Sequence, residues 1–422
     1  HHNFDAMWGA QWTINTLWHL VYPEVTQSFV NSMLAMYDDG GLIPRGPAGG
    51  NYTYVMTGAS STPFIVSAYQ KGIRGFDVQK AYEGMRKNHF PGGMMSKAGY
   101  EHKTFKGGGI EYYMDRGYVP HPLSSTRYGF HMDGSAQTLE YAYQDYSLAQ
   151  LSKVLGKTED YSLFMKRAQN YKNIYKPDLG WMWIKNLDGN WEKSVDILRY
   201  DHGWEEGNAA QWTWFVPHDL KGLAGLMGGN EKAVEKLNHS FELAEKHDFV
   251  SGKSHDKETE EANRRVYLNF GNQPSIQTSY IFNQLGAPWL TQKWTRKVIE
   301  KVYTGLSPDF GYSGDEDQGL MGSLAVLMKI GIFSMDGGVA TTPYYDLSSP
   351  IFDSIEIDLH PDFYPGKKVK IEVKNNSVEN RYIQSASFNG KAIKSWISHQ
   401  DLVKGGKIRY TLGAEPNKSW GK

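Results

Sequence analysis

Along this chain apolar residues recur at helical spacing from the start to about residue 335 and at every second residue beyond it. That change of period constrains the fold more than any other feature. Pro23 sits at a first-turn position, Val25, Phe29, Met33 and Met36 follow on one face, and Gly40-Gly41 ends the run. The same spacing predicts helices over Pro63 to Lys71, Asp77 to Phe90, Ser135 to Leu155, Glu159 to Tyr175, Glu206 to Met227, Glu231 to Lys246, Gln277 to Leu285, Pro288 to Tyr303 and Gln318 to Ile330. Ten helices emerge, and glycines at many C-terminal boundaries (Gly72, Gly156, Gly228, Gly286, Gly331) suit the left-handed cap.

Short turns such as Gly156-Lys157-Thr158 alternate with long segments, Pro91 to Asp133 and Pro177 to Glu205, that carry Tyr, Trp, His and Asp. Helices paired by short turns, with long functional loops at one end, predict an (α/α) toroid over residues 1–335 with its site at the loop-rich mouth. A six-pair toroid needs twelve helices, so ten imply either that the first pair is missing or that the helix boundaries are misplaced. After Met335, Ile355, Ile357 and Leu359 alternate with Glu356 and Asp358; Val369, Ile371 and Val373 alternate with lysine and glutamate; Asn389-Gly390 offers a hairpin turn. Residues 336–422 are therefore expected to form a small antiparallel β domain with a structural role, packed against the toroid.

Composition removes several functions. Lys plus Arg number 45 against 46 for Asp plus Glu, a net charge of −1, so no basic excess exists to bind nucleic acid. The absence of cysteine excludes disulfides, thiolate metal sites and a cysteine nucleophile. The longest apolar candidate, Leu320 to Met335, is broken by Lys329 and falls short of a membrane span. The opening His1-His2-Asn3-Phe4-Asp5 has neither a basic n-region nor an apolar h-region. The chain reads as soluble. Its aromatic content of 14% on glycine-rich loops suits the apolar faces of sugar rings.

Three clusters could carry chemistry. Asp201-His202-Gly203-Trp204-Glu205-Glu206-Gly207-Asn208 leads into Gln211-Trp212-Thr213-Trp214-Phe215-Val216-Pro217-His218-Asp219. A carboxylate beside Trp204, Trp212 and Trp214 is partly desolvated, which raises its pKa toward that of a general acid; alternatively, Glu205 and Glu206 simply favour a helix N-terminus. Gly314-Asp315-Glu316-Asp317-Gln318-Gly319 precedes an apolar helix, and in an extended segment Asp315 and Asp317 point the same way, toward one water or metal. It is not an EF-hand, because the sixth and twelfth positions from Asp315 are Leu320 and Val326; a plain N-cap by Asp317 is the bland alternative. Gly271-Asn272-Gln273-Pro274-Ser275 supplies oxygen donors suited to calcium, or is an ordinary helix start. Two separated carboxylate clusters on an aromatic helical scaffold fit glycoside hydrolysis, one acid protonating the leaving oxygen and another carboxylate activating water or attacking carbon. Nucleophile elbows, Walker loops and His-Glu-x-x-His helices are missing.

Four stretches carry a resemblance: Val30-Asn31-Ser32-Met33-Leu34-Ala35-Met36-Tyr37, Thr138-Leu139-Glu140-Tyr141-Ala142-Tyr143-Gln144-Asp145, Glu206-Gly207-Asn208 with Gln211 to Asp219, and Gly314 to Gly319. In this order they resemble the catalytic region of glycoside hydrolase family 92, calcium-dependent, inverting, exo-acting α-mannosidases, from about Met7 to Leu359. The resemblance implies that Glu206 is the general acid, that Asp315 and Asp317 are base candidates, and that Asn272 and Gln273 lie at a calcium and sugar site. It points to Trp12, Trp204, Asn208 and His218 as substrate-binding candidates. It also implies a mannose-containing oligosaccharide or glycoprotein glycan as substrate, a periplasmic, cell-surface or secreted location, and an N-terminal β-sandwich domain and linking helix ahead of this chain. Three departures alter the pattern: Gln11-Trp12-Thr13-Ile14 lacks the family's aspartate after tryptophan, Gln273 replaces a glutamate, and Gln277 replaces a histidine. Changed sugar or linkage specificity is therefore expected. A catalytically altered or glycan-binding relative, or an exo-glycosidase for another α-linked sugar, are the alternatives.

Overall fold

The computed structural model describes residues 1–4, 6–97, 108–122, 133–252, 261–305, 307 and 319–421. Its helices are α1 Ile14–Val21, α2 Pro23–Gly40, α3 Ser61–Gln70, α4 Val78–Asn88, α5 Ile110–Arg116, α6 Gly134–Val154, α7 Thr158–Arg167, α8 Ala209–Trp212, α9 Leu220–Leu226, α10 Asn230–Ala244, α11 Glu261–Arg264, α12 Thr278–Gln284, α13 Pro288–Lys301, α14 Leu320–Ile330 and α15 His399–Leu402. They alternate between two environments. Helices α3, α6 and α12 are buried on almost every face, as a helix inside a layered core must be. Their successors in sequence or their packing partners, α4, α7, α10 and α13, bury one stripe and expose charged residues on the other. Helix α6 packs against α3 and α7, α12 against α13, and α1 against both α3 and α14, which brings the inner ring back on itself. The fold is an (α/α) toroid.

Several predicted boundaries move for identifiable reasons. The run from Glu206 to Met227 is two short helices, because Asn208 caps α8, Pro217 has no N–H to continue it, and the Asp219 side chain caps α9 by accepting from Gly222 N at 2.9 Å. The run from Glu159 ends at Arg167 and tightens into a 3₁₀ turn over Asn170–Ile174. Helices α1, α5 and α11 were not predicted. Helix α1 meets α2 at Tyr22 with no glycine between them, so the count of ten reflects missed short helices as well as any absent segment.

The strands are β1 Tyr175–Lys176, β2 Trp181–Met182, β3 Ile332–Phe333, β4 Tyr344–Leu347, β5 Ser354–Asp358, β6 Lys368–Lys374, β7 Tyr382–Phe388, β8 Lys391–Ala392, β9 Trp396–Ser398 and β10 Gly406–Gly413. Beyond the toroid they form a five-stranded sheet in the order β5-β6-β10-β7-β8 and a three-stranded sheet in the order β3-β4-β9. Asn389 and Gly390, at φ 50° and 82°, make the β7–β8 turn at the expected dipeptide. The pairs are antiparallel apart from β6 and β10, which run parallel because the chain crosses over through β9 and α15 before returning. Alternate residues Val369, Ile371 and Val373 are buried, and their core takes in Leu20 of α1 and Ile332.

Candidate active site

The inner helices place their N-terminal ends together. Gly9, just ahead of α1, lies so close to Gln273 and Leu320 that a Cβ there would come within 2.6 Å of Gln273 Cγ and 3.0 Å of Leu320 Cδ1. With φ at 75°, that position is suited to glycine on both counts. Trp8 donates its indole N–H to Glu140 Oε1 of α6 at 2.6 Å and stacks on Trp212 of α8 at 6.3 Å. Ala59 N, before α3, donates to Gln144 Oε1 of α6 at 2.6 Å. The N-terminal approaches of α1, α3, α6, α8, α12 and α14 thus surround one end of the toroid, where helix dipoles favour negative charge.

The loop from Asp196 to Asn208 delivers two carboxylates to this end. Arg265 grips Asp196 with both terminal nitrogens, at 2.9 and 3.0 Å. Asp201, Gly203 and Glu206 adopt φ of 53°, 80° and 43°, and Asp201 N donates to Gly207 O at 2.8 Å, so the loop curls back on itself. Left-handed backbone at a glutamate is costly and is held only by its surroundings. Those surroundings are specific. Asn208 caps α8 by accepting from Gln211 N at 3.1 Å and donates to Val266 O at 3.0 Å. The Trp212 indole donates to Glu205 O at 2.8 Å, the N-terminus of α6 donates to Gly203 O from Ser135 N, and Asn272 Nδ2 donates to Glu206 O at 3.1 Å and Glu206 Oε2 at 3.2 Å. Because Asn208 is the cap, both glutamates precede the helix and none lies in its first turn. Their placement is not the ordinary acidic start of a helix.

Electrostatics separate the pair. Burial, then the negative charges of Asp133, Glu206 and Asp201, hold the Glu205 carboxyl well above the ordinary glutamate range, with Arg45 opposing them. Arg45 is itself 1% exposed and donates to Gly58 O, Tyr54 O and Lys97 O at 2.6, 2.7 and 3.1 Å. A fixed cation, the Glu205 carboxyl held well above its ordinary range and the Glu206 carboxyl are thereby assembled on one loop-rich end.

The other expected residues fall in different places. Trp204 and Trp12 are buried at 1% and 0% exposure; Trp12 donates to Met335 O at 2.9 Å and sets its edge against Phe215 at 5.0 Å. They brace the site from within and present no open ring face. His218 lies among Tyr143, Tyr146 and Tyr171, binds Ala168 O through Nε2 at 2.9 Å, and is pushed down to about 4 by burial. It is neutral and holds α9 to α7's end. Asn208 acts through its side chain on backbone groups, as cap and tether. Asp315 and Asp317 lie outside the described residues, as does the carboxyl separation that distinguishes inversion from retention. Asn272 is brought to Glu206, and Gln273 lies against Gly9. Sequence reasoning missed Glu140, Arg45 and Asp133 as members of this end. The spacing of Glu140 and Gln144 by four residues was a visible signal; nothing local marks Arg45 or Asp133.

Calcium takes six to eight oxygens, usually with carboxylates among them. Asn272 Oδ1 accepts from Gln273 N at 2.9 Å and keeps one lone pair, and the Glu206 carboxylate touches the same side chain. The oxygen chemistry fits calcium. Among the described residues, however, no three acidic or histidine side chains converge as a metal cluster.

Comparison with known proteins agrees with the fold. Residues 1–414 match the model of the glycosyl hydrolase family 92 catalytic domain. An uncharacterized secreted glycosidase of Arthroderma benhamiae is 27% identical over 403 residues, 87% of this chain and 46% of that protein. Among solved structures, a family GH92 inverting mannosidase from Bacteroides thetaiotaomicron superposes with a TM-score of 0.81 at 29% identity, covering 99% of this chain and 54% of that one. A GH92 α-mannosidase of the same organism, in complex with mannoimidazole, gives 0.82 at 26% identity, covering 99% and 52%. The chain spans about half the length of these relatives. It belongs to glycoside hydrolase family 92, whose catalytic domain it carries.

Proposed function

We propose that this chain is the catalytic part of a calcium-dependent, exo-acting α-mannosidase that cleaves terminal α-mannosidic bonds of mannose-containing glycans with inversion, outside the cytoplasm. The observation that carries the reading is the loop that holds Glu206 in left-handed backbone against Asn272, at the end where the inner helices start. Glu206 passes its proton to the glycosidic oxygen as the bond to the anomeric carbon breaks. Water adds to that carbon from the opposite face and gives its proton to Asp315 or Asp317, releasing the sugar with inverted configuration. Asn272 and Gln273 would hold calcium, which supplies polarisation of sugar hydroxyls when bound. Trp12, Trp204, Asn208 and His218 serve the substrate by keeping the loop and its neighbours in register. The neutral Thr13 and Gln273, where relatives carry carboxylates, favour an altered sugar or linkage preference within this chemistry.

Glu206→Gln tests the assignment. Turnover of an α-mannobiose, whose leaving group needs the proton, should fall on the order of 10² to 10⁴-fold. An activated aryl mannoside should fall far less; equal losses on the two substrates count against Glu206. Chelation provides the second check: activity should vanish with a calcium chelator and return on adding calcium, and full activity after exhaustive chelation removes the metal from the reading.

A further inference from the structure

The β unit carries a second groove that none of the family motifs reaches. Trp396 begins the edge strand β9, and its side chain is 50% exposed, although large aromatic rings are normally covered. Tyr344 on the neighbouring strand sets an edge against it at 6.4 Å and 78°. The groove beside this ring has a volume of about 490 Å³ and is floored by Ile393 and Ile397. Lys391, Lys394 and Lys404 stand around it with Asp401 as the one acid, a local positive excess on a chain whose net charge is −1. Asp401 is already bound by Lys404 at 2.9 Å and Ser398 at 2.8 Å, and of the other two lysines Lys391 adds only its charge to the field at Asp401.

We propose that this groove is a second glycan-binding site, which takes a saccharide bearing negatively charged substituents. An exposed indole offers a flat apolar face to the C–H face of a pyranose ring, and its rim offers cations to phosphate or carboxylate groups. A peptide fits less well. Strand β9 has only three residues before α15 begins, too short an edge to pair with an added strand. No lining residue comes from the loops that hold Glu205, Glu206 or Asn272, so the groove is a site separate from theirs.

The test is affinity electrophoresis of the Glu206→Gln protein, run in the cold so that trimming of the probe is slow whichever residue is the acid, in gels containing a phosphorylated mannan, the same mannan after dephosphorylation, or poly-glutamate. The phosphorylated mannan should retard the protein most, with retardation weakening as salt rises. Adding Trp396→Ala should raise the dissociation constant about tenfold or more, and the doubly reversed Lys391→Glu, Lys394→Glu protein should lose the preference for phosphate. Both changes are on exposed side chains, and an unchanged thermal midpoint confirms folding. Retardation that survives both variants overturns the site. Equal binding of the dephosphorylated mannan overturns its anionic character, and equal binding of poly-glutamate, insensitive to Trp396→Ala, reduces it to a nonspecific charged patch. Each readout is of binding, so the result stands apart from whether Glu206 is the acid.

Discussion

Trp8 and Gln144 donate to the two oxygens of Glu140 at 2.6 Å each, and the carboxyl is 2% exposed. Burial outweighs those bonds and the Arg45 charge, and pushes the group up to about 8 from its ordinary 4.5. Between those values the folded protein binds a proton that the unfolded chain has released, so this contribution to stability is present below about 4.5 and is lost as pH rises to about 8. Glu140→Gln is titration-free and turns an amide N–H toward one of the two donors, leaving a buried polar group unsatisfied at about 1 to 3 kcal/mol. Thermal denaturation should therefore show the variant less stable than the parent at pH 5, with the gap narrowing toward pH 8. A gap that is constant across that range means Glu140 does not change its protonation there. Glu205 can be examined by the same logic of replacement. Glu205→Gln keeps the size of the side chain and removes its titrating group, so it should reduce mannobioside turnover far less than Glu206→Gln; the reverse order would move the acid to Glu205.

At the scale of elements, α6 is the post of the toroid. Asp145 near its middle binds His89 Nδ1 at 2.8 Å, Arg167 Nε at 2.7 Å and the Tyr113 hydroxyl at 3.0 Å, all buried, so one carboxylate ties α6 to the ends of α4 and α7 and to α5. Removing one partner of a buried pair costs more than the pair contributes, because the survivor is stranded. Asp145→Asn should destabilise the fold by about 3 to 5 kcal/mol in urea denaturation; a change under 1 kcal/mol would show that Arg167 and His89 find other partners. The helix itself is legible in the sequence, since helical spacing runs from Ser135 to Leu155. Its role is not, because His89, Arg167 and Tyr113 converge from three other segments. The site divides the same way. Asn272 and Glu206 could be named from their motifs, whereas the curl of the loop rests on left-handed Asp201 and Glu206, residue types that give no such signal. The break at Pro217 was readable; the apolar residues around it masked it, because Trp214, Phe215 and Val216 are buried outside the helix as fully as they would be in one.

For the molecule as a whole, the β unit is locked to the toroid by buried polar groups as much as by apolar ones. Asn283 and Gln284 of α12 bind Leu347 O and Asp346 at 3.0 and 2.7 Å, Gln292 of α13 accepts from Ile383 N at 2.8 Å, and Tyr364 donates to His19 O of α1. At the centre, His399 of α15 contacts Lys71 O through Nε2 at 2.9 Å and the Tyr345 hydroxyl through Nδ1 at 2.8 Å. The carbonyl can only accept, so Nε2 carries the proton, Nδ1 accepts from Tyr345, and the ring is neutral. Burial, with Lys71 alongside, pushes His399 down to about 3 from 6.5. In that interval the unfolded chain binds the proton and the folded one does not, so stability is fully present above about 6.5 and falls as pH drops toward 3. His19 is lowered in the same direction by burial and by Lys71, and Lys71 itself, down to about 7 through burial with Asp336 opposing, favours the joint as pH rises. His19 and His399 act together as pH falls below about 6.5, whereas the Lys71 contribution is already lost between about 10.5 and 7. His399→Gln can place its amide N–H toward Lys71 O and its oxygen toward Tyr345 without a titrating ring. Between pH 7 and pH 4 its thermal midpoint should fall less than that of the parent protein, with His19 accounting for part of the remaining slope. Parallel midpoint curves for the two proteins would mean that the joint between toroid and β unit does not sense acid through His399.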